Sequence, residues 1–224
     1  MTPPAPYPRM AYLADDPGPF LGVPCDVEEK LDGANVAIWL DDGGLRVMSR
    51  GGPGATDRAG QLGRLRAWVA ERDEQLRKLC TGGTVVYGEW LWLRHGTAYD
   101  RLPDLLVILD LWTPNGEFVP AAGRDARAHA ADLSTPPVVT VGAVVRSEAE
   151  AEKLIPSARW GPGLAEGIVL RGRDGHRCKV VRADYAARSD ESWWSETVHN
   201  ALARATETTT RREPAGVRHN LAGR

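Results

Sequence analysis

The chain is short of lysine. Lys30, Lys78, Lys153 and Lys179 are the four lysines among 28 basic side chains in 224 residues, so arginine has taken most positions where any cation serves. A lysine that persists marks a place where the chemistry calls for an amine able to lose its proton, which a guanidinium does not do in a protein. Cysteine is scarce as well. Cys25, Cys80 and Cys178 are odd in number, widely scattered and without C-x-x-C spacing, which argues against zinc or dithiol chemistry and for buried, inert thiols. The five histidines have no metal-ligand spacing either. Net charge is only −2, so nothing global speaks for a nucleic-acid partner. No apolar run approaches the roughly 20 residues needed to cross a bilayer, and the Pro-rich start "MTPPAPYPRM" lacks the apolar segment of a secretory signal. A cytoplasmic protein with no membrane partner is expected.

What remains is an ordinary globular composition, 42% apolar and 26% charged, in a length that suits one domain with at most a small appendage. The stretch "CDVEEKLDGANVAIWLDDGGLRVMSR" reads as three extended pieces broken at Leu31 to Gly33 and at "DDGG", with Val36, Ile38 and Leu40 alternating. Leu62, Leu65, Val69, Leu76 and Leu79 then recur at helical spacing until "CTGG" stops the helix. Strands follow in "TVVYGEWLW", "DLLVILDLW" and "EFVP", the last two joined by the turn "TPNG". "AAGRDARAHAADL" reads as a helix, "PPVVTVGAVV" as a strand and "SEAEAEKLI" as a short helix capped by Ser147. "AEGIVLRG" and "HRCKVVRADY" flank the turn "RDG" as a hairpin, and a last helix is expected over "DESWWSETVHNALARA". The sum is an α+β chain on antiparallel strands with helices outside. The last segment carries Arg204, Arg211, Arg212, Arg218 and Arg224 against Glu207 and Glu213, which suits either a solvated tail or one that touches nucleic acid.

Lys30 ends a strand before an Asp-Gly turn. Its amine is a poor nucleophile at the reference value of about 10.4 and needs cations or desolvation to bring it down. Arg177 and Lys179, alternating on a later strand, are candidates to supply that field and to grip a phosphate from one side. The bland alternative is a hairpin in which Lys30 pairs with Glu28 or Asp32. Glu89, in the dense apolar "VVYGEWLW", is a carboxylate too costly to bury unpaired, so it should meet a hydroxyl, a metal or a cation. Glu166, at the start of a buried-looking strand, suits a divalent ion beside a phosphate.

In order and spacing these stretches resemble the motifs of the covalent nucleotidyltransferases, the ATP-dependent DNA and RNA ligases and mRNA capping enzymes. "KLDG" is similar to motif I, "MSR" to the arginine element after it, "YGEW" to motif III, "ILDLW" to IIIa, "EGIVLR" to IV and "CKVVR" to V, over about Tyr7 to Tyr185. "EKLDGAN" and "HGTAYDRLPD" resemble the RNA ligase branch in particular. The resemblance implies an antiparallel-sheet adenylyltransferase, ATP-grasp-like, over 1–190, then a C-terminal helix and basic tail over 191–224 with no OB-fold. It implies an ATP-dependent RNA ligase using Mg²⁺ or Mn²⁺: Lys30 takes AMP as a phosphoramidate, passes it to a 5′-phosphate end, and a 3′-hydroxyl displaces it. By the same resemblance Glu29 and Glu89 contact the nucleoside, Arg50 the ribose or the 5′-phosphate, and Asn35 serves sealing. Glu166 supports the metal and Lys179 binds the α-phosphate, with Arg177 beside it. RNA with 5′-phosphate and 3′-hydroxyl ends is the implied partner, with an end-healing kinase or phosphatase as a further one. A DNA nick-sealing or end-adenylylating enzyme of the same superfamily, and a non-catalytic module that binds nucleotide or RNA, are the alternatives.

Two departures matter. Motif IIIa usually supplies an aromatic that stacks on adenine, whereas here Trp112 is the one aromatic in "LLVILDLW", so the base site stays unassigned. Motif V usually carries two lysines, and here the first is Arg177. Trp193 and Trp194 are expected as core anchors of the last helix.

Overall fold

The computed structural model describes residues 4–52, 60–173, 175–186 and 198–203. Its strands are β1 (Ala11–Tyr12), β2 (Cys25–Lys30), β3 (Ala34–Asp41), β4 (Gly44–Ser49), β5 (Val85–Trp90), β6 (Leu106–Trp112), β7 (Val138–Ala143), β8 (Gly167–Arg171) and β9 (Arg177–Val181). Five of them form one sheet in the order β1-β9-β8-β2-β7, and the other four a second in the order β4-β3-β5-β6. All pairings are antiparallel except β1 with β9. The helices are α1 (Gln61–Glu71), α2 (Asp73–Cys80), α3 (Ala121–Ala130), α4 (Glu148–Glu152) and α5 (Ala183–Ala186).

The period-2 pattern of β3 explains why it sits centrally in its sheet. Val36 and Ile38 face the cluster built with Leu65, Trp68 and Leu76 of α1 and α2, while Ala37 and Trp39 face the opposite side with Tyr7 and Tyr87. Each fully buried leucine or isoleucine there contributes roughly 1.5–3 kcal/mol. The five-stranded sheet has its own core of Val27, Ile168, Leu170 and Val180, closed by Leu13 and Phe20. The β3–β4 hairpin turns on Asp42 (φ 47°) and Gly43 (φ 77°), the doubly positive geometry of a two-residue type I′ turn.

Chain order puts the motif around Lys30 at a switch point. β2 pairs with β7 and β8, whereas β3 pairs with β4 and β5, so the chain leaves one sheet at Lys30 and enters the other at Ala34. The hairpin alternative for Lys30 is therefore excluded. Gly33 is required at this crossing, since a Cβ there would lie 2.5 Å from the Trp90 carbonyl oxygen.

A buried charge network ties the sheets together. Arg124 of α3, fully buried, donates to Glu28 of β2 at 2.5 Å and to the Leu109 carbonyl at 2.7 Å. Arg171 of β8 donates to Glu28 at 2.6 Å and to Asp110 of β6 at 2.8 Å, and the Tyr7 hydroxyl donates to Asp110 as well. Charges this deep persist only when each has its partners.

Several expectations change. The helical pattern over 62–79 is two helices that break at Arg72 (φ −115°), whose guanidinium reaches Asp104 at 3.2 Å. "EFVP" contributes one bridge, Phe118 to Trp112, and no strand of its own. The second arm of the hairpin ends at Val181, because Ala183–Ala186 turn helical. The last expected helix lies largely outside the described residues, together with Trp193, Trp194 and the arginines from Arg204 onward. Its described part, 198–203, is extended: it bridges Leu93 and Leu102 through His199 and Leu202. Asn200 fastens it by donating to the Leu91 and Leu93 carbonyls and accepting from the Tyr99 amide at 3.0 Å. Ser147 caps α4 by accepting from the Glu150 amide, as expected.

Candidate active site

The two sheets leave between them a cleft of about 2050 Å³. Lys30, at the end of β2, lies on its floor, with Glu29, Asp32, Asn35, Glu89 and Glu166 around it. Lys30 Nζ is 2.6 Å from Glu166 Oε2. Glu166 comes from the residue before β8, and the Lys30–Gly167 pairing across β2 and β8 is what brings amine and carboxylate together.

Each carboxylate has a different setting. Glu89 accepts from the Gly33 amide at 2.9 Å and from the Asn35 side-chain amide, made neighbours by the β3–β5 pairing of Asn35 with Glu89. Burial pushes its carboxyl up to about 7, with Lys30 opposing and Glu166 adding. Asp32 accepts from the Gly96 amide at 2.7 Å and the Thr97 amide at 2.5 Å, and its own amide donates to the Tyr99 hydroxyl at 3.0 Å. The Asp of "KLDG" thus holds the loop of "HGTAY" against the segment that follows β2. Glu29 accepts from the Arg159 amide at 2.9 Å through Oε2, while its buried Oε1 has no hydrogen-bond partner. An unsatisfied buried acceptor facing a cleft calls for a donor from a ligand.

The charge state of Lys30 corrects an expectation. Arg177 and Lys179 were to lower its proton affinity. Burial does pull the amine down, but Glu166 and then Glu89 outweigh it, and the net direction is up. The first surroundings of Lys30 are acidic, so the unliganded amine is an ammonium. The lysine that is lowered is Lys179, by burial first and then by Lys30, with Arg50 and Arg9 contributing. Its amine lies 4.1 Å from the centroid of the Tyr12 ring.

Arg177 departs from its expected place. It lies over Phe118 at 3.6 Å and near Asp110 at 3.5 Å, and it is not among the residues lining the cleft. Tyr7, Phe118 and Asp110 offer it rings and a carboxylate, which hold the guanidinium off the open side. Arg50 does line the cleft, just past β4, with its amide bonded to the Asn35 carbonyl. Trp112 packs on Phe118 at 4.5 Å and does not line the cleft, whereas Leu109 and Val169 do, so what these strands present to the cleft is aliphatic. The three cysteines are free and buried, and burial pushes Cys80 and Cys178 up to about 12.

The RNA ligase family matches residues 24–209, most of the chain and every strand around the cleft except β1. The chain belongs to the RNA ligase family. No curated protein matches it. Among solved structures, this family member is similar to a Naegleria gruberi RNA ligase mutant with ATP and Mn, at TM-score 0.65 and 14% identity over 84% of this chain and 59% of that one. It is similar to the same organism's RNA ligase with PPi, at TM-score 0.64 and 15% identity over 82% and 59%. At this identity the likeness shows a shared fold. The chain spans about three fifths of the length of those structures.

Sequence reading of this ligase family member missed Arg9, Arg94, Arg182 and Tyr12, which all line the cleft. Arg182 follows β9, donates to Asp184 at 3.2 Å and leaves its buried Nε without a partner. No local pattern marks these residues, because it is the β1–β9 pairing and the turn after β5 that bring them to the cleft. Among the described residues no helix is long and apolar enough to cross a membrane.

Proposed function

We propose that the chain is an ATP-dependent RNA ligase, built on a nucleotidyltransferase fold, that works through AMP bound covalently to Lys30. The observation that carries this reading is Lys30 itself, a lysine on the floor of a large cleft with Glu166 at 2.6 Å. The amine must shed a proton to attack, and the Glu166 carboxylate is the acceptor already in contact. Attack on the α-phosphorus forms a P–N bond and breaks the bond to the β-phosphate oxygen, so that pyrophosphate leaves. Oxygen of a 5′-phosphate end then takes the AMP and frees Lys30, and a 3′-hydroxyl displaces AMP to form the phosphodiester.

The remaining residues bind and align, which is most of what phosphoryl transfer needs. Glu29 Oε1 accepts from the amino group of adenine, while Leu109 and Val169 cover the base. Glu89, with its carboxyl raised to about 7, is present in both protonation states near neutral pH and can donate to or accept from a ribose hydroxyl, with Asn35 holding its carboxyl in place. Lys179 and Arg50 meet phosphate oxygens. Glu166 would hold a divalent ion with the nucleotide supplying most of the other ligands, since among the described residues no group of three or more His, Cys, Asp or Glu could hold one alone and Mg²⁺ commonly takes one or two carboxylates with phosphate oxygens and waters. When bound, such an ion neutralises developing charge on phosphate oxygens.

Strand sealing tests the reading. With ATP and Mg²⁺, a nicked duplex or single strand bearing a 5′-phosphate and a 3′-hydroxyl should be joined when the 3′-hydroxyl side is RNA, and Lys30→Ala should abolish joining. Neither joined product nor adenylylated 5′ end from the wild type removes the assignment, and a preference for DNA on the 3′-hydroxyl side moves it to the DNA-sealing branch.

A further inference from the structure

The proposed chemistry uses Lys30, Lys179 and Arg50, but the cleft holds more positive charge than one nucleotide needs. Arg171 and Arg182, also in its lining, are paired with carboxylates. Arg9 and Arg94 are not. Both are exposed and line the cleft, and among the described residues neither has an ion-pair partner. They stand on different walls: Arg9 leads into β1, an edge strand of the five-stranded sheet, whereas Arg94 follows β5 of the four-stranded sheet. Arg9 is near enough to Lys179 to depress it, so it belongs to the same phosphate-binding side. Arg94 is fixed at its backbone, where its amide donates to the Val198 carbonyl at 2.9 Å. The cleft, about 2050 Å³, is larger than the roughly 300–1,000 Å³ of a small-molecule site. Its floor is carboxylate and its mouth is arginine, which draws a polyanion to the entrance and leaves the nucleotide end to descend.

We infer that Arg9 and Arg94 form a two-walled clamp on the phosphodiester backbone of the polynucleotide whose 5′-phosphate end reaches Lys30, and that the acceptor is therefore a strand of several nucleotides rather than a short fragment. The inference rests on the ligase reading for the identity of the strand, and on the placement of the two arginines for the clamp. Each arginine neutralises one phosphate and releases its counterion, so each adds about 0.7 to the slope of log affinity against log salt for a single strand. Neither contact reads the base, so the loss on substitution is uniform across sequences.

The test is binding of a fluorescent 5′-phosphorylated ten-nucleotide RNA to the full chain, titrated at several salt concentrations. Arg9→Ala and Arg94→Ala should each lower the salt slope by about 0.7 and weaken binding several-fold at low salt. A matched two-nucleotide probe should bind weakly and be indifferent to both changes. An unchanged slope in both variants overturns the clamp. So does an equal loss on the two-nucleotide probe, which would place the arginines at the end itself. AMP labelling of the protein from ATP, run in parallel, separates the remaining cases: loss of label matching the loss of RNA affinity assigns these arginines to the triphosphate and overturns the inference. A wild type that never labels removes the ligase reading, while the binding titration still decides the clamp.

Discussion

At Lys30 an amine that the proposed chemistry sets against phosphorus sits in contact with a carboxylate that favours its protonated form. Glu166 and Glu89 together outweigh the downward pull of burial, with Glu166 the larger of the two, so Glu166→Gln should make Lys30 more reactive toward an amine-acylating reagent at pH 8, read by peptide mass mapping. The same variant should lose AMP transfer at least about tenfold, because the proton acceptor goes with the charge. Unchanged acylation would show that Glu166 does not set the charge of Lys30. Glu89 gives a second, independent titration. Its carboxyl is raised from the ordinary 4.5 to about 7, so the folded state holds the proton more tightly than the unfolded one. That stabilisation is complete below pH 4.5 and is lost as pH rises to 7, worth at most about 3 kcal/mol. Glu89→Gln should therefore melt higher than the wild type at pH 8, flatten the melting curve between pH 4.5 and 7, and impair the enzyme. A variant less stable than the wild type at pH 8 would contradict the burial argument.

At the scale of elements, Glu28 of β2, two residues before Lys30, serves the fold. Glu28 is held by Arg124 of α3 and Arg171 of β8, and Asp110 of β6 completes the tie between the sheets. Arg124→Ala leaves buried Glu28 with Arg171 as its remaining ion-pair partner, and should cost about 3 kcal/mol in chemical denaturation, the low end for a broken buried pair. Arg124→Met, similar in length and also uncharged, should cost about as much, since what is lost is the guanidinium that shares Glu28 with Arg171. If either variant unfolds at the wild-type midpoint, the network is ornamental. Arg124 lies in "AAGRDARAHAADL", which reads simply as an alanine-rich helix, and nothing in its period marks one arginine as fully buried. β2 to β9 and the Ser147 cap were legible because alternation and capping are local, whereas β1 was missed and "EFVP" forms only a bridge. The break at Arg72 and the extended stretch 198–203 were not, because distant partners impose them: Asp104 in one case, the loop around Leu93 and Tyr99 in the other.

For the molecule as a whole, two sheets joined by two chain crossings, β2 to β3 and β6 to β7, make a cleft whose floor is acidic and whose mouth is basic. The identity of the floor was legible, since Glu29, Lys30, Asn35, Glu89 and Glu166 fall in motifs of fixed order, and the structure brings all five to one place. Its electrostatics were not. A sequence lists Lys179 and Arg177 as nearby cations, but register decides that Lys179 turns into the cleft while Arg177 lies against Phe118. The mouth was hidden for the same reason, being assembled from single arginines in otherwise unremarkable loops. The claim on which the rest depends is that Lys30 bonds to phosphorus. Mass mapping of the protein after incubation with ATP and Mg²⁺ measures it directly: one AMP on the peptide containing Lys30, absent in Lys30→Ala, is the expected result. An unmodified Lys30 peptide, or an adduct on any other side chain, would contradict it.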